Sequence, residues 1–120
     1  MQAVEIKDLV GKTFDKVVKD DSYDGNETLT FYQGENKAYM MGHSQDCCEE
    51  VSIEDMDAEL DVLEGTEILE AEVSTKHSDG GFDSETWTFY KFRTAKGWLT
   101  VRWYGTSNGY YSEEVDLVKL

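Results

Sequence analysis

Glu27-Thr28-Leu29-Thr30-Phe31-Tyr32 recurs near the C-terminus as Glu85-Thr86-Trp87-Thr88-Phe89-Tyr90, with identity at five of six positions. In both copies, large apolar side chains alternate with threonine, which is typical of a half-buried strand. Strand propensity would require only residues of similar type at these positions, not the same residue at five of the six. It predicts that the chain contains two copies of one structural unit.

The match extends in both directions from these two strands. Residues 49–53 align with residues 113–117, both beginning Glu-Glu-Val. We therefore predict a single domain built from two repeats, at about residues 4–56 and 58–120, that share one core. Independent origin of short strand patterns is the alternative explanation. The other matched positions are Ile6, Leu9 and Gly11 with Leu60, Leu63 and Gly65, and Gly42, Ser44 and Cys47-Cys48 with Gly105, Ser107 and Tyr110-Tyr111.

Two segments at equivalent places in the repeats favour short helices. Residues 4–10 and 54–64 space their apolar side chains as an amphipathic helix does, and Gly11 and Gly65 follow as stop signals. Acidic residues toward the start of the second segment suit the positive end of a helix dipole. We expect both helices to cover one face of the core.

Strand patterns account for most of the remaining chain. Residues 28–41 and 86–104 are predicted to form β-hairpins, and residues 66–74 a strand with one acidic face. Residues 77–84 have the composition of a loop. The predicted fold class is α+β, with mainly antiparallel hairpins and two short helices in a pseudo-twofold arrangement.

Acidic residues dominate the charge of this 120-residue chain, whose formal net charge is −15. No Lys or Arg occurs between Lys37 and Lys76, an interval that contains twelve carboxylates. Charge of this sign opposes attraction to nucleic acid or to anionic membranes and favours a basic partner. The 39% hydrophobic content, with 12% aromatic residues, still provides for a folded core.

Location is predicted from what the sequence lacks. No apolar run approaches the roughly 20 residues of a membrane-spanning helix, and the first residues lack the basic and apolar regions of a signal peptide. The adjacent Cys47 and Cys48 are expected to be reduced thiols, since a bridge between neighbours strains the peptide. We therefore expect a cytoplasmic protein.

Several segments from residue 43 onward carry a family resemblance. They are His43-x-Gln45-Asp46-Cys47-Cys48-Glu49, Val51-x-Ile53-Glu54-Asp55, Trp87-Thr88-Phe89-Tyr90 and Arg102-Trp103-Tyr104-Gly105-x-Ser107-Asn108-Gly109-Tyr110-Tyr111-Ser112-Glu113. In these segments the chain resembles a family of small uncharacterised proteins encoded by bacteriophages and prophages, classed as a domain of unknown function. The resemblance implies a phage context and the cytoplasm of a host cell, and it implies no particular activity.

The segment after Gly42 contains potential metal ligands and nucleophiles. His43, Asp46, Cys47 and Cys48 offer the atom types that bind zinc, but adjacent cysteines point apart in an extended chain. The surrounding carboxylates would raise the pKa of either thiol, which disfavours cysteine catalysis. The matching tyrosines at 110 and 111 favour a packing role for the cysteines. No nucleotide fingerprint is present, and we predict a non-enzymatic protein without a cofactor.

A second candidate site is polar and aromatic. Its residues combine hydrogen-bonding groups with ring faces, which suits recognition of a small ligand or a partner, although an ordinary sheet core with a tight turn explains them equally well. The candidate ligand-binding residues are Arg102, Tyr104, Ser107, Asn108, Tyr110 and Tyr111.

The acidic block gives the leading functional hypothesis. A solvated face would normally intersperse Lys among the acids, so a block of one sign suggests binding to a basic surface on a host protein. Such carboxylates would imitate the phosphates of nucleic acid, as in a counter-defence inhibitor of a nucleic-acid-binding protein. The alternatives are a small-ligand or metal-binding module and a virion or assembly component. The predicted partner-binding residues are Glu49, Glu50, Glu54, Asp55, Asp57, Glu59 and Asp61.

Overall fold

Strands form most of the computed structural model, which describes residues 2–21, 27–43, 49–80, 83–108 and 112–120. Within those ranges two single-turn 3-10 helices occur, at Ile6–Leu9 and Leu60–Leu63. No helix in the described part of the chain is long and apolar enough to cross a membrane. The strands are β1 Gln2–Ala3, β2 Lys16–Asp21, β3 Glu27–Gln33, β4 Asn36–Gly42, β5 Glu50–Met56, β6 Glu70–Gly80, β7 Asp83–Thr94, β8 Gly97–Ser107 and β9 Asp116–Lys119.

The strands form two antiparallel sheets. The first sheet has the order β1-β9-β4-β3-β2, and the second sheet has the order β5-β8-β7-β6. Every pairing between strands in both sheets is antiparallel. The prediction of an α+β fold is therefore wrong, and the described chain is all-β.

The two predicted helices fail for a physical reason. Strand β5 continues to Met56, which pairs with Val101, so the first residues of the predicted helix at 54–64 belong to a sheet. The residues that remain, 57–64, form too short a segment for a stable helix, because isolated helices below about 12 residues are marginal. Each single turn instead ends before a glycine with positive φ, Gly11 at 87° and Gly65 at 71°. The two predicted α-helices are therefore absent from the described chain, and each glycine instead follows a single 3-10 turn.

The predicted hairpins are present with the expected partners. Strands β3 and β4 meet at a turn over residues 34–35, and β7 and β8 meet over residues 95–96. The predicted loop at residues 77–84 is wrong in part, because β6 extends to Gly80 and β7 begins at Asp83. Cross-strand pairing along β7 stabilises this polar extension, which composition alone does not reveal.

One hydrophobic core joins the inner faces of the two sheets. Phe31 of the first sheet and Phe92 of the second have ring centroids 6.3 Å apart, and both side chains are fully buried. Trp103 is the largest fully buried side chain and lies on the inner face of β8. The inner faces of both sheets thus contribute side chains to the core, and the outer faces and sheet edges are turned toward solvent.

The last strand of each predicted repeat lies in the sheet of the other repeat. Strand β9 pairs with β4, and β5 pairs with β8. Between the halves, Gly11 N donates to Ile68 O at 2.8 Å and Gly65 N donates to Phe14 O at 2.7 Å, which is the same contact with the halves exchanged. These correspondences favour an internal duplication, which stays a prediction.

A candidate binding face on the second sheet

The outer face of the second sheet carries a cluster of aromatic side chains. Along β7 and β8, alternate residues point away from the core, and Trp87 lies opposite Tyr104 while Phe89 lies opposite Arg102. Trp98, at the start of β8, is 45% exposed. We call Trp87, Phe89, Trp98 and Tyr104 the aromatic face.

The rings at the centre of the aromatic face contact one another. Trp87 and Tyr104 have centroids 4.7 Å apart, and Trp87 and Phe89 stack at 6.2 Å with an angle of 9° between their planes. The Arg102 guanidinium carbon lies 5.9 Å from the centre of the Trp87 ring. These contacts hold the rings in place while one side of the sheet stays accessible to solvent.

Carboxylates surround the Trp87–Tyr104 end of this face. Asp55 of β5 forms a bidentate ion pair with Arg102, which lowers the pKa of Asp55 through the hydrogen bonds and the guanidinium charge. The Tyr104 hydroxyl donates to Glu85, and this bond, with burial and the negative charges of Glu85 and Glu54, raises the pKa of Tyr104. The ring cluster therefore lies in a field of negative charge.

The other end of the aromatic face is cationic. Lys91 Nζ lies 4.7 Å from the centre of the Trp98 ring, and Arg93 lies 5.9 Å from it. Arg93 also pairs with Glu70 at 3.1 Å, and this hydrogen bond lowers the pKa of Glu70. The two ends of the aromatic face thus differ in charge, since two cations lie near the Trp98 ring, whereas the one cation near Trp87, Arg102, is paired with Asp55 and has further acids around it.

The structure separates the seven predicted partner-binding acids into three groups. Glu49 is buried and pairs with His43, so it contributes no charge to the surface. Asp55 is exposed but engaged by Arg102. The other five are exposed, on β5 or on the segment that follows it, and form no ion pair with a described residue: Glu50, Glu54, Asp57, Glu59 and Asp61.

Asp55 contacts the Trp87 end of the aromatic face through Arg102, and Glu54 and Asp57 lie close to Asp55 along the chain. Glu54 is the extra residue where the β5–β8 register shifts between Ile53 and Asp55. Its charge and that of Asp57 both act on Arg102, whose pKa is raised chiefly by its hydrogen bonds to Asp55. Sequence reasoning selected these acids from their run of one sign but could not show that both act on Arg102 and that Glu54 also acts on Tyr104.

The predicted ligand-binding residues do not all share one surface. Arg102 and Tyr104 lie together on the outer face, whereas Ser107 is buried on the inner side, where its hydroxyl lies 3.1 Å from that of Ser84. Asn108 is exposed at the end of β8. The other two predicted members, Tyr110 and Tyr111, lie outside the described residues.

The proposed metal ligands can be assessed only at His43. Its Nδ1 lies 2.7 Å from the carbonyl oxygen of Glu114, and its Nε2 lies 3.0 Å from Glu49 Oε1, so both ring nitrogens are engaged within the protein. In the ranges that the structure describes, no three His, Cys, Asp or Glu residues are placed to hold a metal ion. Asp46, Cys47 and Cys48 lie outside those ranges.

Sequence reasoning missed a pair of buried carboxylates at equivalent positions of the repeats. Glu113 is 5% exposed and accepts hydrogen bonds from Ser84 at 2.8 Å and Thr86 at 2.7 Å, as Glu49 is buried against His43. His77, in the segment predicted to be a loop, has a side chain that is 55% exposed, and its Nδ1 lies 3.9 Å from Glu113 Oε1. The repeated Glu-Glu-Val motif was the signal available for these carboxylates.

Comparison with known families places the chain in one of them. A family described as a domain of unknown function (DUF7448) matches residues 7–117, so the chain belongs to this family. Comparison with curated proteins and with solved structures returned no match.

Proposed function

We propose that this member of the DUF7448 family is a non-enzymatic protein that binds a cationic surface of another protein through the acidic end of its aromatic face. The observation that carries the proposal is the cluster of Trp87 and Tyr104, held in contact on an outer sheet face and bordered by carboxylates. Aromatic side chains with a charged surround are the typical composition of a protein-binding hot spot.

A basic partner fits both parts of this surface. Lys and Arg side chains stack on indole and phenol rings, and their charged ends pair with carboxylates. The Trp98 end shows this contact within the chain, because Lys91 lies over its ring. At the Trp87 end the chain's own cation, Arg102, is already paired with Asp55, and Glu54 and Asp57 have no ion pair with a described residue, so the partner would supply the further cations.

The exposed acids beyond the aromatic face would increase the rate at which a basic partner associates. Glu50, Glu54 and Asp57 lie on or next to β5, without an ion pair to any described residue. Together with a net charge of −15, they would steer a basic protein toward this edge and accelerate its binding. Such steering weakens as salt is added, since the Debye length falls to about 8 Å at physiological ionic strength.

The partner class that we propose is a protein whose basic surface normally binds nucleic acid. Carboxylates in the place of phosphates would occupy that surface, and the resemblance to phage-encoded proteins favours a role in countering a host defence.

A charge-matched pair of variants tests the binding surface. The probe is a fluorescent oligo-arginine peptide, and its affinity is measured by anisotropy at low and at physiological ionic strength. Glu54→Gln removes one charge beside Tyr104, and Glu35→Gln removes one charge at the exposed turn between β3 and β4. We expect Glu54→Gln to weaken binding about two- to fivefold and Glu35→Gln to have a much smaller effect.

Equal effects of the two variants would contradict the proposal, because they would show that net charge alone attracts the peptide. Binding that does not respond to salt would contradict it as well. Thermal unfolding of each variant serves as the control for folding, and exposed substitutions of this kind change stability by less than about 0.5 kcal/mol.

A further inference from the structure

Strand β6 is a long edge strand of the second sheet, and its N-terminal part lies against the 3-10 helix at Ile6–Leu9. It has 11 residues, and within the described chain its only strand partner is β7. Its pairing with β7 proceeds from Glu70 to Gly80 without a register shift. Beyond the part that this helix contacts, the outward backbone N–H and C=O groups of the edge are a template for another strand.

Of the usual protections of an edge strand, β6 has charged side chains but neither a proline nor a bulge. The chain contains no proline, and β6 has no bulge, whereas the opposite edge strand β5 has a register shift beside Glu54. The side chains from Glu72 to Ser78 are exposed, and Val73 presents an apolar side chain that is 46% exposed. A second strand placed along this edge would cover Val73.

The charges along β6 are complementary to those of a second β6 strand. In an antiparallel pair centred on Ser74, Glu72 of each copy lies opposite Lys76 of the other, which forms two favourable cross-strand pairs. Centring on Glu72 or on Lys76 would place like charges opposite each other. Centring on Val73 would use Glu70, which Arg93 already engages, and centring on Thr75 would leave the charges without partners.

We infer that two copies of this chain associate through their β6 strands, in antiparallel register about Ser74, and form a continuous sheet of eight strands. The contact is isologous, since the same edge serves both copies. Its twofold axis is perpendicular to the sheet, so the two aromatic faces lie on the same side. The inference rests on the β6 edge alone and stands independently of the proposed function.

Charge reversal provides the test. Sedimentation equilibrium of the full chain at physiological ionic strength should show a monomer–dimer equilibrium. Glu72→Lys and Lys76→Glu should each weaken the dimer by about tenfold or more, because each turns both cross-strand pairs into like-charge pairs. The double variant Glu72→Lys/Lys76→Glu should restore the dimer to within about threefold, because the two charges are exchanged.

Glu35→Lys is the control for net charge, since it makes the same change as Glu72→Lys on the turn between β3 and β4. It should leave the dimer intact or strengthen it by reducing repulsion between two acidic chains. Hydrogen exchange gives a second measurement, in which β6 amides become more protected as concentration rises. A wild-type chain that stays monomeric, or a double variant as weak as the single variants, would overturn the inference.

Discussion

Glu49 and Glu113 illustrate how much a single residue depends on its partners. Both precede another glutamate and a valine, and both are buried, yet Glu49 pairs with His43 and Glu113 accepts from Ser84 and Thr86. A buried carboxylate is costly without such partners. Glu49 and Glu113 therefore contribute to the stability of the fold, whereas the side chains of their neighbours Glu50 and Glu114 are exposed to solvent.

The buried pair yields a prediction with an adjacent control. His43 Nε2 lies 3.0 Å from Glu49 Oε1, and both side chains are buried, so each group depends on the other for a polar partner. Glu49→Gln replaces this buried carboxylate with an amide and should lower the free energy of unfolding by about 1–3 kcal/mol. Glu50→Gln, at an exposed position, should change it by less than about 0.5 kcal/mol. Urea denaturation measures both, and equal values would show that the pair contributes nothing.

Tyr90 predicts a loss of stability at alkaline pH. Its hydroxyl donates to Val115 O at 2.9 Å, and burial, aided by the Asp116 and Glu114 carboxylates, raises the pKa of Tyr90 to about 12 from 10.0. Because the folded-state pKa is the higher one, the neutral phenol stabilises the fold fully below pH of about 10. This contribution is lost as the pH rises toward about 12.

Phenylalanine at position 90 isolates this effect. Tyr90→Phe cannot ionise, so its free energy of unfolding should fall less steeply than that of the wild type between pH of about 10 and 12, by about 2–3 kcal/mol over the range. Urea titrations across this range measure the difference. Parallel declines of the two proteins would contradict the assignment.

At the scale of elements, strand β9 shows how the two sequence halves depend on each other. It lies between β1 and β4 in the first sheet, although it comes from the second half of the chain. Leu117 is 4% exposed in the core, and Leu120 is 44% exposed just after the strand. These two leucines form a matched pair for measuring how much the exchanged strand contributes.

Leu117→Ala should lower the free energy of unfolding by about 2–4 kcal/mol, because it removes buried apolar atoms and leaves a cavity. Leu120→Ala, which removes the same atoms from an exposed side chain, should cost less than about 0.5 kcal/mol. Denaturant unfolding followed by tryptophan fluorescence provides both values. A similar cost at the two positions would mean that β9 is not anchored in the core.

The elements also show where sequence reasoning succeeds. Alternation and turn residues predicted the β3–β4 and β7–β8 hairpins, because local side-chain patterns determine them. The helix predicted at residues 54–64 failed because pairing of Met56 with Val101, distant in sequence, outweighed a weak helical spacing. Strand β6 likewise continues into the predicted loop at residues 77–84, because its polar residues pair with β7.

At the scale of the whole molecule, the charge and the sheet arrangement act together. The acidic block was evident in the sequence, but the aromatic face was not, since Trp87 and Trp103 both occur in strand patterns with threonine or tyrosine neighbours. Strand register decides which ring points outward, and the two-sheet fold then places Trp103 inside and Trp87 outside. The candidate site therefore depends on the strand register of β7 and β8. That register can be derived from the sequence only once the correct fold is known.

The most direct test of the proposed function uses the three tryptophans of the chain as internal reporters. Their indole N–H signals are followed by two-dimensional NMR while the oligo-arginine peptide is added at low ionic strength. The account predicts a saturable shift that is largest for Trp87, smaller for Trp98 under its own cations, and absent for Trp103 in the core. Shifts that leave Trp87 unchanged, with the peptide bound, would contradict it.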